Sequence, residues 1–307
     1  VDAGQRAEGD IVFFDPEWVL EQVAKVPSEF TLRARNAAND IHIGGDNMIF
    51  LPVQGPPFVR RGLERRDGTL ADFDDFCRLS QSLPDFDLVG SLPCEPNDIP
   101  LDSRHLDMVR SIAMLTDKPL GGGAVSVDAA EDALAMARII FGDRMDREVC
   151  VYTNINVNSP LVYDSRMLDA LMIYARVGQP VLIVPFLLMG AMAPASTISA
   201  LAQQFAEALT GIALMQAINP GCPAVLGSFL STTDMKNGSP SFGGPESHFG
   251  LLVSGQLARR YNLPWRAGGG SLTTSPVPDA QAAFEGMNTM QAAFLAGANI
   301  VMHTGGW

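Results

Sequence analysis

The sequence predicts a TIM (β/α)8-type barrel of the α/β class, and three observations predict it. From about residue 70, apolar runs of strand length alternate with segments of helical period. The helical segments are of similar length, and no G-x-G-x-x-G turn follows the first strand, which favours a barrel over a doubly wound sheet. Polar or glycine-rich stretches follow nearly every strand at its C-terminal end, where barrel sites are built.

Residues 1–69 read as a small hairpin-rich lobe. It holds a short helix at Pro16 to Val26, extended pieces at Phe30–Ala34 and Met48–Val53, and turns at Gly44–Gly45 and Gly55–Pro57. Residues 70–307 read as the barrel. Strands are expected at Phe86–Leu92, Pro119–Val125, Val149–Val157, Pro180–Leu188, Pro223–Leu230, Leu263–Gly269 and Asn299–His303. Caps mark the helices between them. Asp128 with Glu131 forms a capping box, and Gly142 ends that helix. Asp164 opens the next, with Gly178 after it; Ser196, Pro245–Glu246 and Asp279 open three more. The runs make seven strands. An eighth is then expected after Trp307, so the barrel reads as unfinished and a protein ending there as inactive alone. A strand missed upstream, or an extended piece of the first lobe closing the ring, would also complete it.

Composition narrows the function. Of 307 residues, 47% are hydrophobic and 18% charged, so a large core is possible and disorder is excluded. A net charge of −13 leaves no basic stripe for phosphates, which argues against nucleic acid and membrane surfaces as partners. The acidity either keeps the chain in solution or weakly favours cationic ligands. Cys77, Cys94, Cys150 and Cys222 include no C-x-x-C pair, which suits free thiols in the cytoplasm. The longest apolar stretches are too short to span a bilayer, and a homo-oligomer stays open.

In a barrel, the residues at strand ends converge on one mouth. Those ends are rich in amides, hydroxyls, glycines and aromatics, and poor in carboxylates. The four histidines lack zinc-ligand spacing, so no bound metal is expected. No lysine falls at a strand end, which disfavours Schiff-base chemistry. His303 ends the last apolar run and precedes Thr304 and two glycines, Gly305 and Gly306. A lone histidine on an apolar strand is either a satisfied core residue or, at this rim, catalytic. Asn154, Asn156 and Asn158 alternate along one strand and so share a face, with Ile155 and Val157 opposite. They form either a binding wall or a hydrogen-bonded polar layer. The glycines Gly268, Gly269 and Gly270 either cradle a ligand such as phosphate or make a tight turn.

Several long stretches carry a family resemblance. They include "NVNSPLVYDSRMLDALMIYARVGQPVLIVPF", "GSFLSTTDMKNGSPSFGGPE", "LARRYNLPWRAGGGSLTTSPVPDAQAAFE" and "FLAGANIVMHTGGW". The chain resembles the trimethylamine:corrinoid methyltransferase superfamily, most of all its branch without pyrrolysine, which is glycine betaine:corrinoid methyltransferase-like. The resemblance implies a TIM barrel that moves a methyl group from a quaternary or tertiary methylamine to the Co(I) corrinoid (cobalamin) of a partner corrinoid-binding protein. It implies an N-terminal extension before Val1 and further barrel after Trp307. Residue by residue, His303 and Asn156 match motif positions and are the expected catalytic residues, and Asp46 in "IGGDN" resembles an acidic position of the first lobe. The implied chemistry asks for aromatic faces around an onium group, and Tyr152, Phe186, Phe229, Phe242 and Trp307 are candidates. With Asn154 and Asp46 they make the expected substrate set; Gly268, Gly269, Gly270, Gly305 and Gly306 make the expected cofactor set. A protonated His303 is expected to pair with a substrate carboxylate. Two other functions remain: an onium-binding regulatory barrel without catalysis, and a tetrahydrofolate-dependent methyltransferase.

Overall fold

The computed structural model describes residues 1–305. The first lobe contains β1 (Arg6–Glu8), β2 (Ile11–Phe13), α1 (Pro16–Val23), β3 (Glu29–Leu32), β4 (Ile41–Gly44), β5 (Ile49–Phe50), β6 (Phe58–Arg61) and β7 (Glu64–Asp67). Then come α2 (Leu70–Ser82), α3 (Arg104–Leu115), β8 (Leu120–Gly121), α4 (Val127–Phe141), β9 (Val151–Val157), α5 (Ser165–Arg176), β10 (Val181–Pro185) and β11 (Leu187–Met189). The chain continues through α6 (Thr197–Ile218), β12 (Ala224–Ser228), β13 (Leu230–Thr233), β14 (Pro240–Ser241), α7 (Pro245–Arg260), β15 (Trp265–Ala267), α8 (Ala280–Leu295) and β16 (Ile300–Val301).

A parallel sheet of seven strands, in the order β5-β16-β15-β12-β10-β9-β8, forms the barrel wall. Strand and helix alternate around it as a TIM-type barrel requires. Each strand sorts its side chains by period two. Along β10, Val181 and Ile183 join the layer under the helices, whereas Leu182 and Val184 fill the lumen. The lumen cluster also takes Val225, Ile300 and Met302, and the β3–β4 hairpin supplies Phe30, Leu32, Ile41 and Ile43. That hairpin lies at the N-terminal ends of the strands, where Arg33 donates its backbone N–H to the carbonyl of Val149. It is the floor of the barrel. Each such buried aliphatic or aromatic side chain contributes about 1.5–3 kcal/mol.

Two strand expectations change. The last strand, β16, does not stand at an open edge: Ile300 and Val301 pair in parallel with Ile49 and Phe50 of β5. An extended piece of the first lobe therefore joins the ring. The run Phe86–Leu92 is not a strand. It fills the space between β5 and β8 without a ladder. The carbonyl of Phe50 accepts from the N–H of both Asp87 and Leu88, and the N–H of Phe50 donates to the Asp87 carboxylate at 2.8 Å. A side chain thus takes the place of one ladder bond. Further along, Ser91 packs against Gly121 of β8, and Gly55 donates to Leu92.

At the C-terminal ends, β11, β13 and β14 form a small separate sheet above the wall. Among the described residues one helix, α6, is long and apolar enough to cross a membrane, yet most of its apolar window is buried inside this fold. All four cysteines are free and buried, and burial pushes their thiols up.

Candidate functional site

A cavity of about 480 Å3 opens at the C-terminal ends of the strands. Asn154 and Asn156 form one wall, Phe186 and Phe229 another, and Arg266 and His303 lie across it. Sheet geometry puts them there. Asn154 and Asn156 share the inward face of β9 with Tyr152, because Ile155 and Val157 belong to the outer layer. Arg266 points inward because its neighbours Trp265 and Ala267 pack outward.

His303 follows β16 with a left-handed backbone, φ +67°. Such a conformation is uncommon outside glycine, and histidine is among the residues that tolerate it. The imidazole is 4% exposed and stands edge-on to Phe229, with ring centroids 6.0 Å apart. Burial and the neighbouring Arg266 hold its pKa well below the usual histidine range. The ring is therefore neutral near pH 7. This corrects the expected imidazolium: a second cation beside a buried guanidinium is electrostatically disfavoured.

The charge at this site belongs to Arg266, which is 3% exposed. Its Nη1 donates to the Ser228 carbonyl at 3.1 Å. Its Nη2 contacts the Met302 sulfur and approaches His303 Nε2 at 3.5 Å. Among the described residues its Nε has no hydrogen-bond partner, and no carboxylate forms an ion pair with it. Burial lowers its pKa to about 9, which still leaves the guanidinium cationic at neutral pH. Asn154 Oδ1 is likewise buried without a partner among the described residues. Buried charge without a counter-charge is costly, and such groups are rare outside functional sites.

An aromatic cluster adjoins the cation. Phe186 and Phe229 have centroids 4.7 Å apart, and Phe242 meets Phe229 edge-on at 5.8 Å. The Arg266 guanidinium carbon lies 6.0 Å from the Phe229 centroid. Anion-seeking and onium-seeking surfaces are thus one ring apart.

The structure brings together His303, Asn154, Asn156, Phe186 and Phe229, with Phe242 packed behind Phe229. Tyr152 lies in the lumen core and outside the cavity lining. Asp46 is at the other end of the barrel, exposed, beside Asn299 in a cavity at the floor. It cannot reach the mouth from there, which corrects its expected place. The Gly268–Gly270 turn is packed against protein. A Cβ on Gly268 would strike the Phe229 ring, one on Gly269 would strike Leu251, and one on Gly270 would strike the His303 backbone. The Gly270 N–H is taken by the Met302 carbonyl at 2.8 Å. Of the two sequence readings, the tight turn with close approach accounts for these glycines. Gly305 donates to the Pro52 carbonyl. Gly306 and Trp307 lie outside the described residues.

Sequence reasoning missed Arg266. The signal was present: an arginine between Trp265 and Ala267 in a strand of barrel spacing, immediately before the glycine turn.

Comparison with known proteins follows from this geometry. The sequence model of the family described as trimethylamine methyltransferase (MTTB) matches residues 1–307. A glycine betaine methyltransferase of Desulfitobacterium hafniense is 43% identical over 99% of this chain and 64% of its own length. A proline betaine:corrinoid methyltransferase of Eubacterium limosum is 29% identical, again over 99% of this chain and 64% of its own length. The chain therefore spans less than two thirds of these relatives. Among solved structures, a dihydropteroate synthase from Coxiella burnetii in complex with pteroic acid superposes with a TM-score of 0.56 at 14% identity. That match covers 89% of this chain and 93% of that one, and it shows the fold alone.

Proposed function

We propose that this chain, which belongs to the trimethylamine methyltransferase (MTTB) family, binds a carboxylate-bearing quaternary amine, a betaine, and presents one of its methyl groups for transfer to a corrinoid carried by a partner protein. The observation that carries the reading is Arg266: a buried cation facing the cavity with no carboxylate partner among the described residues. A ligand carboxylate supplies the missing counter-charge. A simple onium cation such as choline would instead meet a repulsive guanidinium, and neutral trimethylamine would leave it unpaired.

The onium end has its own surface. Phe186 and Phe229 offer ring faces beside the guanidinium, each cation–π contact being worth about 0.5–2 kcal/mol. Because these surfaces are one ring apart, a short spacing between carboxylate and nitrogen fits best, as in glycine betaine. The named activities of the glycine betaine and proline betaine relatives support the same class.

Among the described residues no carboxylate, lysine or cysteine lines the cavity, so those residues offer no anionic group to take the methyl. This suits an external acceptor entering through the open mouth. The corrinoid supplies that nucleophile as Co(I), the difficult part of the chemistry. The protein's residues bind and orient. Arg266 fixes the carboxylate, the aromatic pair fixes the onium head, and Asn154 and Asn156 line the wall between them and the rim. Neutral His303 buttresses Phe229 and faces Arg266 at Nε2. The departing tertiary amine leaves neutral, so no general acid is needed. The test is anaerobic: purified full-length protein, cob(I)alamin or a corrinoid protein, and glycine betaine. Loss of the Co(I) absorbance with formation of dimethylglycine is expected. No betaine-dependent change with either acceptor would overturn the reading.

A further inference from the structure

The β6–β7 hairpin runs against the charge of the chain. In a protein of net charge −13, its ten residues carry Arg60, Arg61, Arg65 and Arg66 against Glu64 and Asp67, and no lysine. Pairing sets Arg61 opposite Glu64 but leaves Arg60 and Arg65 directly opposite each other in the ladder. Like charges at paired positions destabilise a hairpin. The base is nevertheless firmly held. Arg66 makes two bonds to Asp72, at 2.6 and 2.8 Å, and Asp72 also caps α2 through Thr69. Gly68 donates to the Pro57 carbonyl across the neck. Arg65 stacks on Phe58 at 3.7 Å, and Arg60 donates to the Gly62 carbonyl. Among the described residues, Arg60, Arg61 and Arg65 have no carboxylate partner in an ion pair. Leu63, at the tip, is 85% exposed.

Position gives the hairpin meaning. It is inserted between the mouth end of β5 and the start of α2, just beyond Gln54 and Gly55, which line the cavity. A macromolecule that delivers an acceptor into the cavity approaches the end of the barrel from which this hairpin is inserted. Arginine is the cationic side chain enriched at protein interfaces, whereas lysine is depleted there.

We infer that the β6–β7 hairpin is a docking arm for an acidic surface of the corrinoid-carrying protein, with Arg60, Arg61 and Arg65 as its electrostatic contacts and Leu63 as its apolar tip. This rests on the methyl-transfer reading above. The arm acts on encounter and orientation, outside the betaine pocket, and its contribution is screened by salt.

The experiment compares wild-type protein with Arg60→Glu/Arg65→Glu and with the milder Arg60→Gln/Arg65→Gln, which removes the like-charge pair. Binding to the purified corrinoid protein is measured by sedimentation or surface plasmon resonance across an ionic-strength series. Betaine affinity and methyl transfer to free cob(I)alamin are measured beside it. At low salt the Glu variant is expected to bind the corrinoid protein at least tenfold more weakly and the Gln variant to fall between. Wild-type affinity should drop with salt while the Glu variant's stays flat, and betaine affinity and transfer to free cob(I)alamin should not change. Equal carrier affinity in all three proteins would overturn the inference while leaving the methyl-transfer reading intact. So would a loss confined to anionic vesicles or RNA. Absence of methyl transfer by wild type to either acceptor would instead overturn the underlying reading.

Discussion

The two ends of this barrel carry cavities of almost the same size, about 480 Å3 at the mouth and about 470 Å3 at the floor. Their polar groups behave differently. At the floor, Asn299 Nδ2 donates to the carbonyls of Gly45 and Asn47 at 3.0 Å each, and its Oδ1 accepts from the Trp265 N–H. Arg259 caps the end of α8 through the Ala296 carbonyl. These groups are spent on holding the fold. At the mouth, Arg266 Nε and Asn154 Oδ1 are buried without hydrogen-bond partners among the described residues. Cavity volume therefore does not separate the two ends; the unsatisfied buried polarity of their linings does.

The sharpest way to break this contrast is Arg266→Met. Removing a buried charge that has no counter-ion among the described residues is expected to leave the melting temperature unchanged or raised. Betaine binding should weaken by about 2–5 kcal/mol, the usual cost of deleting one partner of a buried charged pair. Thermal unfolding and calorimetric titration read the two effects separately, and a marked drop in stability would show that the arginine is structural.

Asn299→Ala probes the floor and should do the reverse. It strips partners from the Trp265 N–H and from two carbonyls, costing about 1–3 kcal/mol of stability. Betaine affinity, measured on the folded fraction, should stay at the wild-type value.

Phe229→Leu sharpens the mouth itself. It keeps an apolar side chain but removes the ring that meets Phe186, Phe242 and His303. A loss of about 0.5–2 kcal/mol in onium binding is expected. The same loss for a ligand with an isosteric neutral tert-butyl head would assign it to packing instead.

Asp46→Ala has the smallest expected effect. The side chain is exposed at the floor, so stability and betaine KM should both stay within about 0.5 kcal/mol of wild type. A large rise in KM would move the substrate site to the opposite end of the barrel.

These contrasts also show what could be read from residues alone. Strands β10, β12 and β16 were visible because buried parallel strands are largely uninterrupted apolar runs. The asparagines of β9 and His303 could be placed because a strand end and a period of two fix their direction. The place of β5 in the ring was harder to see. Strand β5 is two residues long, and the Phe86–Leu92 run pairs through the Asp87 side chain, which no hydropathy pattern reveals. Asp46 was misplaced for a related reason: which end of the barrel the first lobe covers is decided by tertiary contacts, here Asn299 to Gly45 and Asn47. Arg266 was overlooked beside three glycines that turned out to serve packing. Its importance rests on the absence of a carboxylate partner among the described residues, a property of the folded surroundings and not of the local sequence.

The central claim is that the mouth selects a zwitterion because Arg266 needs an anion. Calorimetric titration of the protein with glycine betaine and with choline, at equal ionic strength near pH 7, tests it most directly. Both ligands carry the same trimethylammonium head, and only one carries a carboxylate. The account predicts betaine binding at least a hundredfold tighter than choline in wild type, with the preference lost in Arg266→Met. Equal affinity for the two ligands in wild type would contradict it.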